Sequence, residues 1–153
     1  MPILLQVCKR YFKFVKDTFN DIKTNYIDTG KVKFTYKNFP LPSHKDAINA
    51  ALAAECANEQ GKFWEMHDIL YNNQNDLAIK DLKRYAKDLN LDTTQFDSCL
   101  DSSKYQSEIE SDMEEGIGLG VTATPSFIIN GRLVKGAVSY DKFQEVIEEE
   151  LSK

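Results

Sequence analysis

The sequence predicts an α/β fold in which a block of helices is inserted between two strand-bearing segments, on three observations. Near the C-terminus, Phe127-Ile128-Ile129 and Arg132-Leu133-Val134-Lys135 flank Asn130-Gly131, and Asn-Gly between two β-prone runs is the strongest short-range signal for a hairpin. Nearer the N-terminus, Lys31-Val32-Lys33-Phe34-Thr35-Tyr36 alternates polar and apolar side chains, as a half-buried strand does. Between these segments run five helical patterns, far more chain than the roughly one dozen residues that a crossover connection needs.

Taken in order, Ile3–Val7 reads as a short apolar strand. Phe12, Val15, Phe19, Ile22 and Tyr26 then recur at spacings of three and four, which predicts an amphipathic helix to about Asn25 that Gly30 closes off. Pro40 and Pro42 keep the following segment extended. From Ser43 the period changes to that of a helix. Ser43 is the expected N-cap of an Ala-rich helix over Ala47–Glu59, and Gly61 ends it. Further helices are expected over Phe63–Asn72, Ile79–Leu89, Thr93–Leu100 after the cap residue Asp92, and Lys104–Leu119. Asn72-Asn73-Gln74-Asn75-Asp76 is the most loop-like stretch. Pro125 falls at the first residue of the hairpin's leading strand, where a missing N–H is tolerated, and a Thr-Pro bond there adopts the cis form at a cost of only about 0.5–1 kcal/mol. Tyr140–Leu151 reads as the last helix.

With 153 residues, 42% hydrophobic and 28% charged, the chain is one domain's worth of globular protein with enough length for a core. The formal net charge of −5 argues against nucleic acid or an anionic membrane surface as partner. There is no apolar run long enough to span a bilayer. Met1-Pro2-Ile3-Leu4-Leu5-Gln6-Val7 lacks the basic and small residues of a secretory signal, so the chain taken literally is expected in the cytoplasm. His44 and His67 have no partners at a repeating ligand spacing, and no metal is expected; they read as a loop and a helix-face histidine. Trp64, Phe63 and Tyr71 read as packing residues. Gly116-Ile117-Gly118-Leu119-Gly120 ends a helix rather than opening one after a strand, which argues against a dinucleotide or phosphate role.

The residue with reactive chemistry is Cys8. It follows a predicted strand at the start of a helical pattern, where unpaired N–H groups and a dipole equivalent to roughly half a positive charge stabilise a thiolate. Lys9 and Arg10 act in the same direction. Exchange of a dithiol normally uses Cys-x-x-Cys, because the second thiol releases the mixed disulfide. This chain reads Cys8-Lys9-Arg10-Tyr11. The alternative for Cys8 is a small buried hydrophobe at a helix start.

The C-terminal order of Thr124-Pro125, strand, Asn-Gly turn, strand and helix resembles the second half of a thioredoxin fold, and is most similar to the DsbA-like thiol:disulfide oxidoreductases. Tyr26-Ile27-Asp28-Thr29-Gly30-Lys31-Val32, Asn38-Phe39-Pro40-Leu41-Pro42-Ser43-His44, Ala51–Ala57 and Gly61–Asp68 resemble the same family. The resemblance implies a thioredoxin-like domain from residues 1–42 and 120–153 around a helical insertion of residues 43–119. It implies Cys8 as the catalytic nucleophile, Thr124 and a cis Pro125 as the substrate-binding loop, no cofactor, and protein or peptide thiols and disulfides as substrates, with a redox partner.

Phe14, Thr18 and Ile22 fit the family's spacing if Cys8 is the first cysteine and Tyr11 stands where the second should be. In the other register Leu5 replaces the first cysteine. Met1–Leu5 back-translated and read one nucleotide later admits Cys-Pro-(Phe or Tyr)-Cys, so an altered reading frame is one expectation for this end of the chain. The family mostly works outside the cytoplasm, in the periplasm or at the cell surface. Cys56 and Cys99 resemble a second cysteine pair found in some of its members and are expected to bond to each other. Two further expectations compete with an exchange enzyme. One is a redox-impaired module that binds peptides or a partner through the same groove; the other is a kappa-type glutathione transferase or isomerase relative, which would want a serine or comparable hydroxyl at the helix start, for which Tyr11 is a poor substitute.

Overall fold

The computed structural model describes residues 14–153 together with the backbone of a strand over residues 2–5. The elements in order are β1 (Pro2–Leu5), a helix α1 over residues 15–27, β2 (Thr35–Asn38), α2 (Ala47–Asn58), α3 (Phe63–Asn72), α4 (Ile79–Asp88), α5 (Thr93–Asp101), α6 (Gln106–Gly118), β3 (Ser126–Ile129), β4 (Arg132–Lys135) and α7 (Tyr140–Leu151). The fold is thioredoxin-like, mixed α/β, with a small sheet and a run of helices between its two halves. Two compact units emerge: residues 1–39 with 114–153, and residues 40–113.

The first unit is built on a four-stranded sheet in the order β2-β1-β3-β4. β1 pairs parallel with β2, in the register Pro2 to Thr35, and antiparallel with β3, where Ile3 faces Phe127. β3 and β4 form the expected hairpin around Asn130-Gly131, whose φ angles of 47° and 87° are the left-handed pair that a two-residue turn of this kind demands. All four residues of β3 are buried while β4 keeps its ends exposed, so β3 is internal and β4 is an edge. Pro125 is not in the ladder; it immediately precedes Ser126, the strand's first residue.

The α1 helix carries its buried side chains at a strict spacing of four: Phe14, Thr18, Ile22 and Tyr26. Four residues overshoot one turn of an α-helix, at about 3.6 residues, and undershoot one turn of the wider i→i+5 form. The helix alternates between the two, with wide turns over Val15–Phe19 and Lys23–Ile27 around an α segment at Asn20–Ile22. The alternation keeps the four side chains on one face. Phe14 packs against Phe127 of β3 and Phe143 of α7 at ring-centroid distances of 4.5 and 5.3 Å, and the two partners meet edge-on at 4.7 Å. At the other end of the helix the Tyr26 hydroxyl donates to Glu148 Oε1 at 2.7 Å.

The second unit packs α2 to α5. In α2 the buried Ala50, Ala53, Ala54 and Ala57 are small enough to let neighbouring helices approach closely, and Leu52, Met66, Leu82 and Phe96 fill the space between. Among the described residues four helices end alike, with a left-handed residue and two reversed hydrogen bonds. At α2, for example, Lys62 N–H donates to Ala57 O and Gly61 N–H to Asn58 O, both at 2.9 Å. The left-handed residues are Gly61, Asn90, Ser103 and Gly120, at φ 71°, 57°, 51° and 80°. The α5 helix is capped by Asp92, whose Oδ1 accepts from Thr94 N and Gln95 N at 2.9 and 3.0 Å. Cys56 of α2 and Cys99 of α5 are joined by a disulfide, with Cα atoms 5.8 Å apart.

Several boundaries differ from the sequence-based expectation. The β2 strand forms over Thr35–Asn38 rather than Lys31–Tyr36, because its limits are set by the residues of β1 it pairs with. The α2 helix begins after Asp46, with no side-chain cap, so Ser43 does not cap it. The α6 helix begins at Gln106, because Lys104 N–H is tied back to Cys99 O in the turn that ends α5. His67 is buried rather than at a helix surface, stacked among Phe63, Trp64 and Tyr71, while Trp64 remains 45% exposed.

Two outcomes follow from this packing. Burial, and then the bond to Glu148, push the Tyr26 hydroxyl from 10.0 up to about 12. Because the folded value is raised, this contribution to stability is complete below about pH 10 and is lost as pH rises from 10 towards 12. Tyr26→Phe is expected to lower stability by about 1.5–3 kcal/mol near neutral pH, as loss of a hydrogen bond to a charged group does, and to remove that alkaline component; urea denaturation at pH 7 and pH 10–12 measures both. Replacing Cys56 and Cys99 together by alanine is expected to cost about 4 kcal/mol, the loop-closure value for a 43-residue separation, read as a lower denaturant midpoint against the oxidised protein.

Candidate functional site

The loop that carries Thr124 and Pro125 is held from both sides. Upstream, α6 stops at a left-handed Gly120, with Val121 N–H donating to Gly116 O at 2.9 Å and Gly120 N–H to Ile117 O at 3.0 Å, and Val121 is buried. Downstream, Ser126 Oγ donates to Ala123 O at 2.6 Å, bridging the Thr124–Pro125 bond, which is cis. Pro125 O accepts from Gly136 N at 2.8 Å, fastening the exit of β4 to the loop. Pro125 is buried and Thr124 half-buried.

Gly136 leads into Ala137-Val138-Ser139-Tyr140, and these four residues face Phe14, Asp17 and Thr18 of the α1 region across a cleft of about 290 Å³. Phe14 forms the junction: it lines the cleft and packs on Phe127, two residues beyond Pro125. Thus the first described turn after Cys8, the Thr124–Pro125 loop and the start of α7 belong to one continuous piece of structure in the first unit. Cys8, the candidate nucleophile, lies outside the described residues, as do Lys9, Arg10 and Tyr11. Tyr140 of the cleft accepts from Asn25 Nδ2 through its hydroxyl at 2.9 Å, which fixes the cleft's far wall to α1.

Cys56 and Cys99 are both buried in the second unit. Beside them Glu59 accepts from Lys104 Nζ at 2.6 Å and from Gln95 Nε2 at 3.0 Å. These bonds, with one from Tyr105, hold its carboxyl near 2, well below the usual carboxylate range. Among the described residues no group of three or more His, Cys, Asp or Glu side chains is placed to hold a metal ion, and no helix is long and apolar enough to cross a membrane. Sequence reasoning did not single out the Ala137–Tyr140 wall or Glu59. The first has no distinctive residue, and the second acquires its partners only through contacts made by α5 and the turn after it.

A family model described as Thioredoxin matches residues 7–149. Among curated proteins, the chain is 36% identical over 122 residues to the Na(+)/H(+) antiporter NhaA 3 of Salinispora tropica and 39% identical over 106 residues to an antiporter NhaA 1 of Mycolicibacterium vanbaalenii. These stretches cover 79% and 67% of this chain but 19% and 17% of those proteins, so the chain spans less than a fifth of the length of these relatives. Among solved structures, oxidised BdbD from Bacillus subtilis superposes with a TM-score of 0.82 at 27% identity, over 99% of this chain and 88% of that one. The α-DsbA1 protein of Wolbachia pipientis gives 0.79 at 25%, over 99% and 84%. The chain belongs to the thioredoxin family, and its structural neighbours are the DsbA-type thiol-disulfide oxidoreductases.

Proposed function

We propose that this chain carries out thiol–disulfide exchange on protein or peptide substrates, with Cys8 as the nucleophile and Thr124 and Pro125 as the substrate-binding loop. The observation that carries this reading is the continuity of Phe14, six residues past Cys8, with the strand that Pro125 leads into and with the cleft walled by Ala137–Tyr140. DsbA-type proteins among the structural neighbours favour the same chemistry. An extended peptide lying along the loop would meet the backbone of Thr124 as an added strand meets a sheet edge, and an apolar side chain of that peptide would enter the cleft over Phe14.

In the exchange step the Cys8 thiolate attacks one sulfur of a substrate disulfide, a mixed disulfide forms, and the S–S electron pair leaves on the other substrate sulfur, which takes up a proton. With Tyr11 where the pattern expects a second cysteine, an external thiolate must then attack the mixed disulfide to release Cys8. No cofactor takes part. The compartment that suits this chemistry is extracytoplasmic, where disulfides persist.

A second reading is a binding module that keeps the peptide groove and lacks turnover. It is favoured by the single cysteine in Cys8-Lys9-Arg10-Tyr11. The similarity to a short portion of Na(+)/H(+) antiporters makes a membrane transport protein the partner class to test.

With the Cys56–Cys99 bond intact, the alkylation rate of Cys8 as a function of pH is expected to give a thiol pKa well below the free value of about 8.5. Cys8→Ser is expected to abolish exchange between glutathione and a disulfide peptide while leaving peptide binding in place. An ordinary or raised thiol pKa, together with equal binding and no exchange in either protein, favours the binding module. Val138→Glu places a charge in the cleft and is expected to weaken peptide binding about tenfold, measured by fluorescence titration, without changing the alkylation rate.

A further inference from the structure

The Cys56–Cys99 disulfide sits in electrostatic surroundings opposite to those expected of an exchanging cysteine. Cys56 lies in the last turn of α2 (Ala47–Asn58) and Cys99 in the last turn of α5 (Thr93–Asp101), the ends at which helix dipoles are negative and a sulfur anion is disfavoured. Glu59, the residue that closes α2, brings Oε1 to 3.6 Å from Cys99 Sγ. Its side chain is 15% exposed, whereas that of its partner Lys104 is 54% exposed. The cation is therefore screened by water more than the carboxylate is. The turn that ends α5, with Lys104 N–H on Cys99 O at 3.2 Å, places Lys104 to hold Glu59 in this position.

We infer that Glu59 is a positioning residue that insulates the Cys56–Cys99 bond from thiol exchange, by setting a fixed negative charge against Cys99, the less deeply buried of the two residues. Reduction by a thiol requires an anion. A glutathione thiolate attacks Cys99 Sγ, a mixed disulfide forms, and the S–S electron pair leaves on Cys56 Sγ, which is then protonated. A second glutathione thiolate attacks the glutathione sulfur of the mixed disulfide, giving oxidised glutathione and a Cys99 thiolate that takes up a proton. Glu59 repels the incoming anion at the first step. An uncharged phosphine attacks the same sulfur without meeting that repulsion: Cys56 Sγ leaves with the electron pair and is protonated, and water hydrolyses the phosphorus–sulfur adduct to the phosphine oxide and the Cys99 thiol. The inference does not depend on whether Cys8 exchanges.

The test compares reduction of the bond by glutathione and by the neutral tris(hydroxypropyl)phosphine, followed by alkylation and intact mass in a Cys8→Ser background so that only this pair reports. The quantity read is the glutathione rate divided by the phosphine rate. Removing the carboxylate in Glu59→Gln is expected to raise that ratio, and removing the compensating cation in Lys104→Gln to lower it. Loosened packing would accelerate both reagents and leave the ratio alone. A ratio at least about fivefold higher in Glu59→Gln than in Lys104→Gln supports the inference, and a smaller separation overturns it. Should Glu59→Gln not fold, Lys104→Gln decides against the parent: a fall of at least about twofold supports the inference, and anything less overturns it.

Discussion

The packing of Phe14, Phe127 and Phe143 is the constraint on which the thioredoxin-like unit depends. One ring comes from the helix that follows the N-terminal strand, one from the internal strand β3 and one from the last helix, so a single cluster joins elements from both ends of the sequence. Aromatic pairs at these separations are worth about 0.5–1.5 kcal/mol each beyond the area they bury. Because Phe127 is two residues from Pro125, and Phe14 forms one wall of the cleft, the contacts that hold the unit together also fix the candidate substrate loop. Core and candidate site share Phe14.

Much of the fold was legible because its signals are local. The hairpin follows from Asn130 and Gly131, whose backbone needs no distant partner, and α5 from Asp92, whose carboxylate satisfies two orphan N–H groups beside it. The α3 and α7 helices form over the expected residues, Phe63–Asn72 and Tyr140–Leu151. What was not legible depends on pairing across the chain. The β2 strand moved because β1 chooses which of its residues bond, and alternation alone cannot report that register. The buried position of His67 depends on the rings around it, and the cleft wall at Ala137–Tyr140 is made of ordinary residues whose role comes from what lies opposite. Glu59 appears in sequence as one acid among many, and only the turn after α5 distinguishes it.

The two units rely on different materials. The sheet-bearing unit is held by large aromatic rings and by side-chain hydrogen bonds between α1 and α7, Tyr26 to Glu148 and Asn25 to Tyr140. The helical unit uses small alanines for close approach, repeated left-handed helix endings, and a covalent bond between α2 and α5. Its sulfurs lie at the negative ends of helices, while Cys8 is expected at a positive one. On the proposed reading, one chain would assign opposite electrostatic settings to sulfur that stays bonded and sulfur that reacts.

The division of the chain also sets an order of events during synthesis. The helical unit is contiguous, residues 40–113, and all its contacts are available once that stretch has left the ribosome. The other unit waits, because Ile3, which can pair with Tyr36 early, meets its second strand partner only when Phe127 has been made. Until then the N-terminal strand and the apolar face of α1 have no C-terminal partner, and unpaired strand edges are what chaperones and wrong partners recognise. On that ordering the sheet-bearing unit is completed last, after the helices encoded between its two segments.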